Sequence, residues 1–513
     1  MKKLICFLLC LVMLLPTVIA CKKKTDAPAD TSATGDSADS TVQTDEYGQV
    51  IETSSIPDSL DYGGEEIVIA CRSANQYRRE FGVEKTEDAL DSRIFRRNQK
   101  IQQDLNIKLT LRADFDHETN ESAEQDIYQY VYTEHQAGQE SVDILGFYAA
   151  YAAQFGLRDL LLDLNSDKMT YLDLTKKYWN QTYVDAASVN GHLYYAVGDS
   201  NLSVYDRCVV NFVNLDVLQS RTGVSADQLF GFVRDGEWTI DKMKEMLANA
   251  AWIDSGDNQA SDTDTFGYVW NQWVQVDPYT VAFNFKMIKE NEDGSLSFTI
   301  GDNLDRMDTA FNKLLALYKD PSSYGTAAVT AGNIFRDGRA VMWSSLLYQD
   351  ATTHKKLLDS AMSYAIIPLP KLEVDPTIGY QTTPIDTYTT MAVINNKNDK
   401  TLEAISATLE RMNEWSYSDV RPFYVEKMVK ARYVDDGDSV QMLEMIFDGI
   451  TFTKEWIYLT QTSIIASLMW RHVFQANFNA DPDNCHTSVS AQWQAKQSLA
   501  EAELEDLYLF FKD

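Results

Sequence analysis

Glu66-Ile67-Val68-Ile69-Ala70-Cys71, introduced by Gly63-Gly64, is a short β-rich run of the kind that forms a buried strand. Behind it, Thr86 can cap a helix whose Leu90, Ile94, Ile101 and Leu105 recur at helical spacing, and Asn106 ends it. Ile107-Lys108-Leu109-Thr110-Leu111 then alternates as a second strand. Strand, helix and strand at this spacing make a βαβ unit, which places both strands parallel in one sheet. A helix-like stretch around Ile127–His135 leads into Val142-Asp143-Ile144-Leu145, a third short apolar strand. The fold class is α/β.

Downstream the same grammar continues. Leu193–Val197, Cys208–Val213, Val341-Met342-Trp343 and Tyr364–Pro368 read as strands, and Asp293-Gly294 sits between two β-prone runs as a hairpin turn. Asp302 or Asn303 can cap a helix with Leu304, Met307, Phe311, Leu314, Leu315 and Tyr318 on one stripe. The last hundred residues read mainly as helix. No repeat of 20–50 residues is visible, which argues against solenoids and propellers.

Upstream lies a different kind of sequence. Lys2-Lys3, an apolar stretch from Leu4 to about Leu15, and Val18-Ile19-Ala20-Cys21 have the form of a secretory signal peptide ending in a bacterial lipobox. Cys21 is the expected lipid-attachment site, and residues 1–20 the part removed. More than one acyl chain, palmitate included, would anchor the chain firmly at the outer face of the cell membrane. Thr25 to about Ser59 is rich in Ser, Thr, Asp and Ala and cannot bury enough apolar surface to order itself. Residues 21–60 are therefore expected to be a tether.

The 513 residues include 45 Lys+Arg and 76 Asp+Glu, a net charge of −31. Loss of the signal takes two lysines, leaving 43 basic against 76 acidic residues and −33. That balance argues against nucleic acid, whose phosphates require Lys/Arg patches, and against adsorption to anionic lipid, so contact with the membrane is through the anchor only. Once Cys6, Cys10 and Cys21 are set aside, Cys71, Cys208 and Cys485 remain: an odd, scattered set with no visible disulfide framework, the first two in apolar runs. No CxxC, HExxH, GxSxG, GxxxxGK[ST] or GxGxxG occurs, and the six His never fall at metal-ligand spacing; neither metal nor cofactor is expected. With 76 carboxylates, a glycosidase pair cannot be nominated from sequence.

Aromatics near strand ends give the better signal, because flat rings in a cleft stack on sugar faces. Trp270 and Trp273 lie in one such segment, Trp343 follows Ala340-Val341-Met342, and Tyr148 and Tyr151 follow Val142–Leu145. Any one of these rings is more often core than ligand platform; only the set favours a cleft. Arg72, Arg78 and Arg79 follow the first strand and can pair with an acidic substituent such as a uronate, although solvated arginines beside Glu80 are the simpler reading.

In this order the segments resemble the family 1 extracellular solute-binding proteins of ABC transporters, the maltose-binding-protein-like group. The resemblance is carried by the lipobox, Gly63–Ile69, Val142–Leu145, Asn190-Gly191-His192-Leu193-Tyr194-Tyr195-Ala196-Val197, Val210–Leu218, Gly236-Glu237-Trp238-Thr239, Phe335–Met342 and Ile367-Pro368-Leu369-Pro370-Lys371. His192, Val197-Gly198 and Val213-Asn214 depart from the family pattern.

The resemblance implies a periplasmic-binding-protein-like fold of type II, with two discontinuous α/β lobes, 61–198 plus 342–394 and 205–341 plus 395–513. It implies a monomer that closes on a carbohydrate, delivers it to an ABC permease, and breaks no bond. Trp343, Trp270 and Trp273 become candidate stacking platforms. Tyr148, Asp199, Asp386, Tyr388 and Arg72 become further ligand contacts. Three alternatives stay open: a surface glycoside hydrolase, a binding protein for a peptide or polyamine, and a mostly helical glycan-capture lipoprotein.

Overall fold

In strand β1 (Glu65–Cys71), Ile67, Ile69, Ala70 and Cys71 are buried and Glu66 is exposed. A short helix α1 (Asn75–Phe81) and a longer α2 (Ala89–Leu105) follow. Asp88 caps α2 by accepting from the N–H groups of Leu90 and Asp91, both at 3.0 Å; the expected cap, Thr86, lies outside the described residues. Asn106 ends the helix in the left-handed region at φ 47°. The chain returns as β2 (Ile107–Arg112), parallel to β1 with Ile67 opposite Leu109, and β3 (Ile144–Tyr148) lies parallel on the other side, Ile69 opposite Ile144. The βαβ reading holds.

The computed structural model describes residues 44, 50–84, 87–113, 120–139, 141–149, 152–153, 160–248, 250–251, 260–271, 276–348, 357, 362–395, 397–426, 437–458 and 488–512. The chain divides between Gln43 and Thr44, and all of these residues belong to the second unit.

A second sheet starts at β4 (Val209–Asn214) and continues through β5 (Phe266–Asn271). A small hairpin, β6 (Ile288–Glu290) with β7 (Leu296–Phe298), follows and turns at Asp293-Gly294 as expected. Then come β8 (Ser323–Thr326), β9 (Ala340–Leu346) and β10 (Tyr364–Ile367). The order is β10-β4-β9-β5-β8, with β5, β8 and β9 parallel and β4 antiparallel to both of its neighbours. Finally β11 (Thr389–Val393) rejoins the first sheet antiparallel to β3, completing the order β11-β3-β1-β2.

Three expectations need correcting. Strands β9 and β10 belong to the second sheet, where Trp343 pairs with Phe212 of β4; the return to the first sheet comes after Ile367 rather than at 342. Helix Asp399–Trp415 packs with the first sheet and α2, not the second: Thr401 Oγ1 donates to Glu65 Oε1 at 2.9 Å. Leu193–Val197 is not a strand. Ala196 alone bridges Met391, and the flanking carbonyls of Leu193 and Val197 accept from Leu164 and Asn180 in turns. A backbone whose hydrogen bonds go to loops on both sides cannot continue a ladder.

The body also begins earlier than expected. Ile56 is buried, Ser54 bonds Glu414 through its N–H and hydroxyl, and the Tyr417 hydroxyl donates to the carbonyl of Val50 at 2.8 Å. Residues 50–60 are docked chain, not tether. Two strands of backbone cross between the sheets, 198–208 outward and 368–388 back, and they run side by side. Cys208 bridges Pro384, Ile385 N–H donates to the carbonyl of Arg207 at 3.0 Å, and Thr389 N–H donates to Ser203 Oγ at 3.0 Å.

Candidate functional site

The strand ends beside these crossings gather four side chains. Arg72 immediately follows β1, Tyr148 ends β3, Tyr77 stands on α1, and Arg207 closes the outward crossing. The Arg72 guanidinium carbon lies 3.5 Å from the centre of the Tyr77 ring and 4.7 Å from that of Tyr148, and Arg207 approaches Tyr77 at 5.3 Å. Arg72 is 4% exposed and Arg207 5%. Each also reaches a carbonyl from the other side of the junction: Arg72 Nη1 donates to Thr387 O at 3.0 Å, and Arg207 Nη1 to Tyr348 O, just past β9, at 3.3 Å. Guanidinium over tyrosine is a cation–π arrangement, which fixes the plane of the fork while leaving its edge for hydrogen bonds.

Local packing explains why α1 stands there. Gly146 of β3 lies under Phe81, the last residue of α1, and a Cβ at that position would clash with the ring. Glycine thus lets the helix settle onto the sheet with Tyr77 one turn back, over Arg72. Glu80, fully buried on the same helix, accepts from the N–H of Ser203 on the outward crossing, and burial pushes its carboxyl up to about 7. Arg97 of α2 holds the end of α1, its Nη2 donating to Glu80 O at 2.7 Å.

Among the sequence candidates, Arg72 and Tyr148 are thus brought together, and Arg72 is buried rather than solvated. Arg78 is exposed and Arg79 half-buried, so the three arginines do not act as a group. Asp386 is half-buried beside Thr387, next to the junction. Asp199 is at the outward crossing but away from these four, lining a cavity of about 320 Å³ with Lys177, Asn201, Tyr205, Arg421 and Asp448. It pairs with Arg421 at 3.1 Å; burial raises its carboxyl to about 6 while Arg421 draws it back down.

The tryptophans fail as platforms. Trp343 is 1% exposed, stacked on Phe212 at 5.1 Å and covered by Phe335 at 5.7 Å. Trp270 is buried against Tyr318 at 4.2 Å and fills the space left by Gly325, where a Cβ would lie 2.6 Å from its Cζ2. Trp343 sits mid-strand in β9 and Trp270 one residue before the end of β5, and each is covered by the aromatic neighbours named above. Tyr388 is buried too, edge-on to Tyr183 at 6.2 Å and Phe452 at 5.3 Å. Trp273, Tyr151, Cys21 and Cys485 lie outside the described residues. Cys71 and Cys208 are free, buried thiols, and burial pushes Cys71 up to about 12.

Tyr77, Glu80 in its bonded role, and Arg207 were not found from sequence. The available signals were Tyr77 inside the polar run Arg72–Glu80 and the charged pair Asp206-Arg207 directly before an apolar strand. Among the described residues, no three of His, Cys, Asp and Glu gather at metal-binding distance, and no helix is long and apolar enough to cross a membrane.

No family model matches the sequence, and no curated protein matches it. Solved structures do match. A family 1 extracellular solute-binding protein from Bifidobacterium longum subsp. infantis superposes with TM-score 0.53 at 11% identity, over 84% of this chain and 100% of that one. UgpB from Mycobacterium tuberculosis, solved with glycerophosphocholine, gives 0.51 at 12%, over 87% and 99%. An ABC transporter associated binding protein from B. animalis subsp. lactis, solved with β-1,6-galactobiose, gives 0.50 at 12%, over 86% and 98%. This chain has the α/β fold of the extracellular solute-binding proteins.

Proposed function

We propose that this chain is a lipid-anchored, extracellular solute-binding protein that captures a carbohydrate by lobe closure and delivers it to an ABC importer. The observation that carries the reading is the meeting of Arg72, Tyr77, Tyr148 and Arg207 at strand ends beside two adjacent crossing segments. In doubly wound α/β sheets, ligands bind outside the carboxyl ends of strands, where side chains from separate elements converge. The fold shared with a protein solved with a disaccharide supports a glycan as the ligand.

In this reading one lobe is built on the first sheet with helix Asp399–Trp415, and the other on the second sheet as far as Ile367. A ligand touching both lobes stabilises the closed form by its differential affinity for closed over open. Residues 1–20 are a signal peptide, Cys21 carries the lipid, and the closed face docks on the permease. No bond is broken in the cycle, so no acid and nucleophile are required.

The test is calorimetry with a panel of glycans, peptides and polyamines, paired with small-angle scattering. Exothermic binding of a glycan with a fall in radius of gyration supports the reading. Binding of a peptide or polyamine and of no sugar overturns it, and so does release of reducing ends by the purified protein. Mass spectrometry of membrane-extracted protein tests the anchor: acylation at Cys21, abolished in Cys21→Ala, is expected.

A further inference from the structure

We propose that the cavity lined by Asp199 and Asn201 is a second small-molecule site, taking a neutral polyhydroxylated ligand of monosaccharide size. It does not use the strand-end junction, and it stands or falls separately from capture there.

The cavity, of about 320 Å³, is walled by three stretches of chain together with Arg421. One is Trp179–Thr182, tied to the helix Asp399–Trp415 where Trp179 Nε1 donates to Glu410 Oε2 at 3.0 Å. The second is the outward crossing, through Gly198, Asp199, Asn201 and Tyr205. The third is Phe447, Asp448 and Ile450, at the end of the helix Gly437–Asp448, which packs on β10. Pockets for small ligands begin at about this volume.

The crossing brings unused hydrogen-bonding capacity to this space. Asn201 is 1% exposed. Its Oδ1 accepts from the Gly198 N–H at 2.9 Å, which fixes which end of the amide is oxygen. The other end, buried Nδ2, has no partner among the described residues. Asp199 Oδ2 faces Arg421 Nε at 3.1 Å, yet accepts no hydrogen bond among the described residues. A buried donor left without an acceptor is costly, so this turn is complete only with an occupant that supplies one. The turn itself is already held. Ser200 N–H donates to Asn413 Oδ1 at 3.1 Å, and a Cβ at Gly198 would clash with the same oxygen. Its polar edges are therefore ordered before a ligand arrives, which lowers the cost of binding.

The class of ligand follows from the lining. A hydroxyl donates and accepts at once, so adjacent hydroxyls answer the Asn201 amide and the Asp199 carboxylate together. Charge favours a neutral molecule. Lys177 and Arg421 are balanced by Asp199 and Asp448, so neither an anion nor a cation meets an excess of opposite sign. Tyr205 and Phe447, edge to face at 5.1 Å and both half-buried, add apolar surface for the C–H face of a sugar ring.

The experiment is hydrogen–deuterium exchange on the purified protein with glucose, galactose, xylose and myo-inositol, each in turn. Glycine, citrate and spermidine serve as charged controls, and calorimetry gives the affinities. Expected is protection of residues 197–205 and 447–450 by at least one neutral compound, with an affinity unchanged between about 0.05 and 0.5 M salt. Asn201→Asp keeps the bond to Gly198 but exchanges the free donor for an acceptor, and should cost about tenfold in affinity. Exchange on the unaltered protein decides the matter should Asn201→Asp fail to fold. Protection by a neutral sugar confined to the strand ends around 72–77 and 148 overturns this site and leaves capture at the junction standing. Protection of 197–205 with no sugar protecting 72–77 supports this site and counts against the junction. Protection of 197–205 by the charged compounds alone overturns the polyol assignment. No protection of 197–205 by any compound overturns the site.

Discussion

Trp343 and Tyr77 are both almost wholly buried rings, and their surroundings separate a core from a site. Trp343 stands mid-strand in β9, with Phe212 opposite it in register and Phe335 closing over it from the helix Ala328–Arg336. Its ring neighbours are two phenylalanines, and dispersion and burial account for its place. Tyr77 instead stands over a strand end, where the sheet has stopped and the next neighbours are guanidiniums. The lesson is positional. A ring in the middle of a strand is claimed by the ladder beside it, whereas one beyond the last ladder bond is available for chemistry.

The sharpest way to break this contrast is Trp343→Ala. If the ring is core, its loss leaves a cavity and costs about 3–5 kcal/mol, read in chemical denaturation. Undiminished stability with lost glycan affinity would instead restore Trp343 to the site. Next in size is Gly325→Val, which drives a side chain into Trp270 and should cost about 1–3 kcal/mol by overpacking. A neutral result would mean that Trp270 has room to move and is not fixed core. On the other side of the contrast, Tyr77→Leu keeps apolar volume but removes the π face from both arginines. Glycan affinity should fall about tenfold, with little change in the unfolding midpoint. A large drop in stability with affinity intact would make the junction structural.

The smallest expected effect distinguishes the crossing region by pH. Burial raises both Glu80 and Glu410 from 4.5 to about 7. Glu410 is held by the Tyr178 hydroxyl and by Trp179 Nε1 at 3.0 Å. A carboxyl that ionises later in the folded than in the unfolded state contributes stability fully present below about pH 4.5 and lost as pH rises through about 7. The melting temperature should therefore fall by about a few degrees over that window, and Glu410→Gln should flatten the slope. A melting temperature that climbs across the same window would refute the assignment.

Much of the fold was legible along the chain because it is written in local periodicity. The strands at 65–71 and 107–112, the helix between them, the Asp293-Gly294 turn and the stripe from Leu304 to Tyr318 each depend on neighbours within one element. The errors fall where the partner is remote. Val341–Trp343 and Tyr364–Ile367 read correctly as strand but were given to the wrong sheet, because nothing local says that Trp343 faces Phe212. The segment 50–60 reads as polar linker, yet Ser54 finds Glu414, 360 residues away.

The site divides along the same line. Arg72 and Tyr148 were reachable from sequence because each follows an evident strand, and a strand end is a local feature. Arg207 was not, since its role depends on the outward crossing delivering it to the face of Tyr77, 130 positions earlier in the chain. By itself the sequence determined the α/β class, the opening βαβ unit and the acidic charge, all set by residue type and spacing. The tertiary structure alone decided which aromatics are core, where the chain returns to its first sheet, and that two arginines share one tyrosine. Those outcomes depend on contacts between segments that periodicity does not link, and a burial pattern can show that a side chain is covered without showing by what.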